Sequence, residues 1–172
     1  MMEENEMRIA IDCDDASLAL KRILYDYIRA CGYDVTDLDA LGATPGAMYP
    51  QIGFALARRI AQGEFDRGVL LCGTGLGMAM SANKVQGIYA GVCHDVYSAE
   101  RLVRSNNAQV LTMGARVVGP ELAKCIVAAW LIARFDGGGS LPKVEQMRAL
   151  EHASFKYSRD HSIPLDSHIS TP

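Results

Sequence analysis

The sequence predicts an α/β fold, a single domain in which helices cover both faces of a five-stranded parallel sheet. Short apolar runs alternate along the chain with segments whose apolar residues recur at helical spacing. Strands that alternate with helices in this way are typical of parallel sheets, which are buried on both faces. A glycine-rich turn, residues 72–77, directly follows one apolar run, and its glycines let a ligand approach the backbone closely.

The predicted elements of the first half lead up to that turn. Apolar residues at positions 20, 23, 24, 27 and 28 have the spacing of a helix with one buried face, and Gly32 ends it. The Val69–Leu71 run indicates a short buried strand. In order, we predict a strand at Arg8–Asp12, a helix at Ala16–Cys31, a strand at Tyr33–Leu38, a loop at Gly42–Gly46, a helix at Tyr49–Gln62 and a strand that ends at Cys72.

The second half continues the alternation. Pro120 suits the first turn of a helix, and Gly137–Gly139 is a flexible break. In order, we predict a helix that opens at Met78–Asn83, a strand at Ile88–Cys93, a helix at Tyr97–Arg104, a strand at Gln109–Met113 and helices at Pro120–Phe135 and Val144–Tyr157. One domain is predicted over residues 7–150. Residues 151–172 are predicted to hold the end of the last helix and, from Ser158, a loose tail.

We predict a Rossmann-like sheet with three layers and the strand order 2-1-3-4-5. Ligands of such sheets bind beyond the carboxyl ends of the strands, where the strand order reverses. In this order the reversal lies between the first and third strands. Residues Asp12–Asp15 and Cys72–Gly77 follow those two strands. We therefore expect both segments to face one crevice.

Composition narrows the class of protein. The chain has 172 residues, of which 49% are hydrophobic and 22% charged, and its net charge is -3. These values are ordinary for a globular protein and indicate binding to neither nucleic acid nor membrane. No apolar run reaches the roughly 18 residues of a membrane span. The acidic segment Met1–Glu6 lacks the basic and apolar regions of a signal peptide, so we expect a cytoplasmic protein.

The cysteines are scattered, odd in number and never spaced as C-x-x-C; they are Cys13, Cys31, Cys72, Cys93 and Cys125. This spacing argues against a disulfide framework and against a zinc site. Most of them are expected to be small buried residues. Cys72 differs because it stands between a strand and a glycine-rich turn. A thiol beside backbone N–H groups suits a base that takes a proton from carbon next to an anion-stabilising pocket.

Two other interpretations of this turn remain open. Gly73, Gly75 and Gly77 resemble part of a dinucleotide fingerprint. However, Met78 stands where the third glycine of that motif would fall, and the turn follows the third strand instead of the first. The second alternative is that Cys72 is a core thiol, although its place at a strand end favours a functional role.

Polar residues also follow two other predicted strands. Asp12, Asp14 and Asp15 follow the first strand, and one of them is expected to cap the first helix. Three carboxylates exceed what a cap needs, so a Mg²⁺ ligand and groups that bind ligand hydroxyls stay open as alternatives. His94 follows the fourth strand, where it is either structural or close to the active face of the sheet.

Taken together, these residues resemble the ribose-5-phosphate isomerase B and galactose-6-phosphate isomerase family. The resemblance runs from Arg8 to about Val144. The segments that carry it are Asp12–Asp15, Tyr49-Pro50, Cys72–Gly77, Ser81–Lys84, Tyr97–Ala99, Asn106–Gln109 and Met113–Gly119.

The resemblance implies interconversion of an aldose phosphate and its ketose through an enediolate, without a metal or other cofactor. It makes Cys72 the base that moves a proton between C1 and C2, and Thr74 the hydroxyl that assists at the substrate oxygens. The backbone N–H groups of Gly73–Gly77 would hold the enediolate. Further implied residues are Asp14, Tyr49 and Asn106 on sugar oxygens and Arg116, from the partner chain, on the phosphate. The resemblance also implies homodimers, often paired into tetramers, with active sites shared between chains.

Four positions depart from the pentose-phosphate pattern of this family. Asp15 replaces a phosphate-side histidine, and Ser105 replaces the histidine that opens the furanose ring. Gly139 and Lys143 replace two phosphate-binding arginines. An aldotetrose 4-phosphate cannot close a furanose ring because its O4 is esterified, so it needs no ring opener. These departures therefore favour a shorter substrate.

Family branches that interconvert D-erythrulose 4-phosphate and D-erythrose 4-phosphate have segments similar to residues 94–101 and 105–109. A tetrose-phosphate isomerase is therefore our first hypothesis, with Arg116 and either Lys143 or His94 at the phosphate. A ribose-5-phosphate isomerase with His94 as ring opener, an isomerase of an unphosphorylated sugar and a non-catalytic partner subunit are the alternatives. The predicted substrate-binding residues are Asp14, Asp15, Tyr49, Gly73, Gly75, Gly77, His94, Asn106, Arg116 and Lys143.

Overall fold

The computed structural model describes residues 7–39 and 46–160. Within them, one parallel sheet is covered by helices on both faces, as the sequence predicts. The elements are β1 (Arg8–Cys13), α1 (Leu18–Ala30), β2 (Asp34–Asp37), α2 (Tyr49–Ala61), β3 (Arg67–Cys72), α3 (Leu76–Ala82), β4 (Ala90–Val92), α4 (Val96–Arg104), β5 (Val110–Gly114), α5 (Pro120–Ile132) and α6 (Leu141–Asp160). Short 3-10 turns precede α1 and α6.

The strand order is β2-β1-β3-β5-β4, so the predicted order of the last two strands is wrong. β5 lies between β3 and β4, and all five of its residues are buried. β4 is only three residues long and each of them is half-buried. The longer apolar strand therefore takes the central place, which is covered on both faces, and the short strand takes the edge. As a result Gly114, at the end of β5, pairs with Cys72.

Side chains that alternate along the strands pack into two apolar cores. Helices α1, α4 and α5 cover one face of the sheet, where Val69 and Leu71 of β3 are buried. Helices α2 and α3 cover the other face, where Leu70 and Cys72 are buried. The period of two along a strand thus directs Cys72 to the α2–α3 face.

The last helix differs from its prediction at its carboxyl end. α6 continues to Asp160, so the stretch from Ser158 that we predict to be loose begins inside a helix. The Glu151 carboxylate ties α6 to the segment before β4, because it accepts hydrogen bonds from Gly87 N and Tyr89 Oη at 3.0 and 2.9 Å. Residues 161–172 and most of the predicted Gly42–Gly46 loop lie outside the described residues.

None of the helices described in residues 7–39 and 46–160 is both long enough and apolar enough to cross a lipid bilayer.

Candidate active site

The strand order reverses between β1 and β3, and the two segments predicted to face one crevice meet there. β1 continues to β2 on one side, whereas β3 continues to β5 on the other. Asp14 N donates to Leu71 O at 3.2 Å, which joins the acidic segment to the end of β3. Crevices at such reversals are the usual ligand sites of open parallel sheets.

Cys72 is the last residue of β3, and only 6% of it is exposed. Its sulfur accepts a hydrogen bond from Gly75 N at 3.0 Å. A backbone amide can donate to sulfur whether the sulfur is neutral or charged, and such a bond is stronger to a charged acceptor. Gly75 has a φ of +81°, and a Cβ there would lie 2.9 Å from the backbone carbon of Met113. A glycine at position 75 therefore makes the contact with sulfur possible.

The two other buried cysteines at the same edge of the sheet have a different environment. Burial raises the pKa of the Cys13 thiol to about 12 and that of the Cys93 thiol to about 11. Both therefore stay protonated at neutral pH and fit the prediction of small buried residues. Cys31 and Cys125 are exposed, so the expectation of burial is wrong for these two, and all five cysteines are free thiols.

Hydroxyl groups hold the turn after Cys72. The Thr74 hydroxyl is exposed with the rest of its residue and accepts a hydrogen bond from Leu76 N at 3.4 Å, at the start of α3. Thr112 Oγ1 of the neighbouring strand donates to Gly75 O at 3.0 Å. The peptide that carries the Gly75 carbonyl is thus hydrogen-bonded to β5.

Tyr49 lies against the end of this turn. A Cβ on Gly77 would lie 2.5 Å from Cε2 of the Tyr49 ring, so only glycine lets the ring approach so closely. Tyr49 begins α2, and 45% of it is exposed. Beside it a groove of about 480 Å³ opens between α2 and α3, lined mainly by apolar atoms. The structure thus places the predicted sugar-binding tyrosine next to the glycine-rich turn Cys72–Gly77, which we call the cysteine turn.

The turn after β5 forms the other wall of the site. Ala115 N donates to Cys72 O at 2.9 Å and Arg116 N donates to Gly73 O at 3.1 Å. The Arg116 side chain lies beside Gly73, where a Cβ would be 3.4 Å from Cδ and Nε of the arginine. The chain's own Arg116 therefore reaches the turn, and the arrival of a partner's Arg116 stays a prediction. His94 joins this wall through its Nε2, 3.0 Å from Gly114 N.

The three aspartates after β1 have separate environments. Asp14 caps the turn before α1, since its carboxylate accepts from Ala16 N at 3.1 Å. Asp12 is buried, and this burial raises the pKa of its carboxyl to about 6. Asp15 is exposed and begins the 3-10 turn that precedes α1. Across the described part of the chain, no group of three or more His, Cys, Asp or Glu residues is arranged to hold a metal ion.

Lys21 is a buried charge beside the crevice that the sequence reading missed. It is 5% exposed and donates to Asp37 at 2.9 Å and to Asp39 at 3.1 Å. Burial alone would lower the pKa of Lys21, but the two carboxylates raise it above its ordinary value. The signal was present, because position 21 follows Leu20 and precedes Leu24 on the buried stripe of α1.

One of the predicted substrate residues, Asn106, lies far from the cysteine turn of its own chain. Asn106 follows α4 and precedes β5, which puts it at the amino ends of the strands. Lys143 is exposed in the first turn of α6. A six-residue strand such as β3 spans about 20 Å. The structure thus brings Asp14, Tyr49, His94 and Arg116 to the cysteine turn, and leaves Asn106 at the opposite edge.

Comparison with known proteins agrees with this fold and identifies the family. The family model described as Ribose/Galactose Isomerase matches residues 9–147. The chain belongs to this family. It is therefore an aldose–ketose isomerase of the sugar-phosphate class, as the resemblance of its motifs predicts.

Individual members of the ribose/galactose isomerase family are similar over most of their length. A D-erythrulose-4-phosphate isomerase of Pectobacterium atrosepticum is 53% identical over 85% of this chain and 96% of the relative. A ribose-5-P isomerase B of Listeria innocua is 41% identical over 84% of this chain and 97% of the relative. The solved structure of Clostridium thermocellum ribose-5-phosphate isomerase B matches with a TM-score of 0.80 and 40% identity, over 86% of this chain and 99% of that one.

Proposed function

We propose that this isomerase acts on a tetrose phosphate in the cytoplasm and interconverts D-erythrulose 4-phosphate and D-erythrose 4-phosphate with Cys72 as base. The observation that carries the chemistry is the Gly75 N–H on the Cys72 sulfur at 3.0 Å, at a strand end beside the crevice. A thiolate held in this way is a proton acceptor that needs no metal. The proposed reaction is therefore metal-independent.

In the forward direction the Cys72 thiolate takes a proton from C1 of the ketose. The electron pair of the broken C–H bond forms the C1–C2 double bond of an enediolate, and the charge moves to the oxygen on C2. Amides of the Gly73–Gly77 turn stabilise that oxygen, in the manner of an oxyanion hole. The Cys72 thiol then returns the proton to C2 while a hydroxyl proton leaves O1, and the Thr74 hydroxyl assists this exchange between the oxygens. The aldose forms and the thiolate is regenerated.

The choice of a tetrose phosphate has two supports. Ser105 stands where the pentose-phosphate pattern has a ring-opening histidine, and its hydroxyl accepts from Arg101 Nε at 2.8 Å. A relative that is 53% identical is named D-erythrulose-4-phosphate isomerase. Ribose 5-phosphate is the second candidate because a relative at 41% identity is named ribose-5-P isomerase B.

The test is a side-by-side assay of erythrulose 4-phosphate and ribose 5-phosphate with the purified protein. We expect kcat/KM to be at least about tenfold higher for the tetrose, since a chain without a ring opener processes a furanose poorly. Allose serves as the unphosphorylated control, and inorganic phosphate should compete with either phosphorylated substrate. A faster reaction of the pentose phosphate would reverse the order of the two substrates.

The alternative from another class of protein is a non-catalytic partner subunit. An experiment on deuterium exchange distinguishes this alternative from an active isomerase. An enediolate mechanism incorporates solvent deuterium at C1 or C2 of the sugar during turnover. Failure of the purified protein to catalyse this exchange with any sugar phosphate would favour the non-catalytic alternative.

The active site is proposed to be completed by a second copy of the chain in a homodimer. This follows from the position of Asn106, which lies at the amino ends of the strands, about one strand length from Cys72 of the same chain. Asn106 would therefore bind substrate at the cysteine turn of another copy. Apolar side chains exposed near the turn, including Leu76 and Met80, offer that copy a contact surface.

Mixing two inactive variants tests this shared site. We expect Cys72→Ala and Asn106→Ala chains, co-expressed in equal amounts, to recover about a quarter of wild-type activity, because half of the dimers are mixed and each mixed dimer has one intact site. Cys72→Ala mixed with Thr74→Ala is the control, since both changes lie in one half of the site and no intact site can form. The absence of recovery in the first mixture would contradict the proposal.

A further inference from the structure

The hydrogen bond between His94 and Gly114 occurs where the edge strand of the sheet stops. β4 pairs with β5 through Val92 and Thr112, and Cys93 N still donates to Thr112 O at 3.0 Å. Beyond this point the chain leaves the sheet and begins α4, whereas β5 continues to Gly114. The Gly114 amide instead donates to Nε2 of the His94 ring at 3.0 Å. A side-chain nitrogen thus takes the place of the next backbone acceptor in the ladder.

This hydrogen bond determines which ring nitrogen of His94 carries the proton. A backbone amide only donates, so Nε2 must present its lone pair. The proton of the neutral ring is then on Nδ1, and this tautomer is assigned from the bonding partner. Protonation of Nε2 breaks the bond to Gly114. His94 therefore cannot donate a proton to substrate from Nε2 while it holds Gly114.

Gly114 also packs directly against the backbone of the cysteine turn. It pairs with Cys72 across β3 and β5. A Cβ on Gly114 would lie 2.6 Å from Thr74 Cα and 2.9 Å from Gly73 O, so the backbones are in direct contact. A displacement of the Gly114 peptide is therefore passed directly to Gly73 and Thr74.

We infer that His94 is a positioning residue of the isomerase: as the Nδ1–H tautomer it holds the Gly114 amide, and through Gly114 it sets the position of Cys72 and Thr74. This inference rests on the proposed function and deepens it. It assigns to His94 a role that differs from ring opening and from phosphate binding. Both of those roles require the ring to act on substrate, whereas this one acts through the backbone.

Three variants test the inference. His94→Leu removes the acceptor, and we expect kcat to fall about 10- to 100-fold with KM changed less, because a small displacement of the catalytic groups costs rate. His94→Gln offers an amide oxygen at a similar distance from Cα and is expected to retain kcat within about threefold. His152→Gln, on the exposed surface of α6, is the control for loss of a histidine. Thermal denaturation shows whether each variant is folded.

Nitrogen-15 NMR of the imidazole rings and amide exchange at Gly114 give readouts that do not depend on activity. We expect His94 Nε2 to be unprotonated, and Gly114 exchange to accelerate in His94→Leu but not in His94→Gln. A protonated Nε2, or a His94→Gln variant as slow as His94→Leu, would overturn the inference. If the wild-type protein shows the His94 bond but isomerises no sugar phosphate, the proposed function fails while the bond itself stands.

Discussion

Replacement of Cys72 by alanine is expected to remove isomerase activity, with kcat lowered by about 10²- to 10⁴-fold or more. The reason is that the sulfur is the only atom of this side chain able to take a proton from carbon. Exchange of solvent deuterium into the sugar should be lost to the same extent, because both processes need the same proton transfer. The variant should still bind substrate, since the backbone amides and Arg116 of the site remain in place.

Cys13→Ala is the matched control for this change. Cys13 and Cys72 are both buried at the carboxyl edge of the sheet, at 5% and 6% exposure, but on opposite faces. Each alanine variant loses one buried sulfur, so a similar destabilisation of about 1 kcal/mol is expected for both. Retained activity in Cys13→Ala and its loss in Cys72→Ala would separate catalysis from packing. Near wild-type activity of Cys72→Ala would refute the assignment of the base.

The second large effect is expected from Gly75→Ala. An alanine with a φ of +81° is strained, and its Cβ would meet the Met113 backbone at 2.9 Å. A left-handed conformation costs an L-residue roughly 1–2 kcal/mol, and backbone repulsion adds to this, so we expect a total loss of about 2–4 kcal/mol. The turn must also move away from the Cys72 sulfur, which should lower kcat by about 10²-fold. Urea unfolding and steady-state kinetics measure the two effects.

Gly87→Ala is the control that isolates backbone strain from repulsion. Gly87 has the same φ of +81°, but no atom lies within 4 Å of the Cβ that it would carry. Only the strain of roughly 1–2 kcal/mol is therefore expected, without an effect on kcat. Equal losses of stability in the two variants would show that contact with Met113 does not matter.

The alternation of strands and helices was predictable because it depends on local periodicity. The buried run Val69–Leu71 and the helical spacing of residues 20–28 both correspond to elements of the structure. Cys72 at the end of β3, before a glycine turn, was predicted for the same reason. The family followed from short motifs within these elements and is confirmed by the match over residues 9–147.

The order of β4 and β5 in the sheet could not be predicted from local periodicity. Both segments are short and apolar. Their neighbours in the sheet are determined by contacts between residues that are far apart in sequence. The central position of β5 brings Gly114 next to Cys72, and the early end of β4 leaves a place for His94. Lys21 was missed for a related reason, since its two carboxylate partners come from the segment at the end of β2.

Local patterns in the chain were sufficient to determine the elements and the place of Cys72 and its neighbouring glycines, because each depends on residues a few positions away. The tertiary structure decided which turns meet: Gly114 and Arg116 lie at the cysteine turn, and Asn106 lies at the far edge of the sheet. Those outcomes depend on how strands pair and how helices pack across the sheet, and side chains distant in sequence set the energies of these contacts.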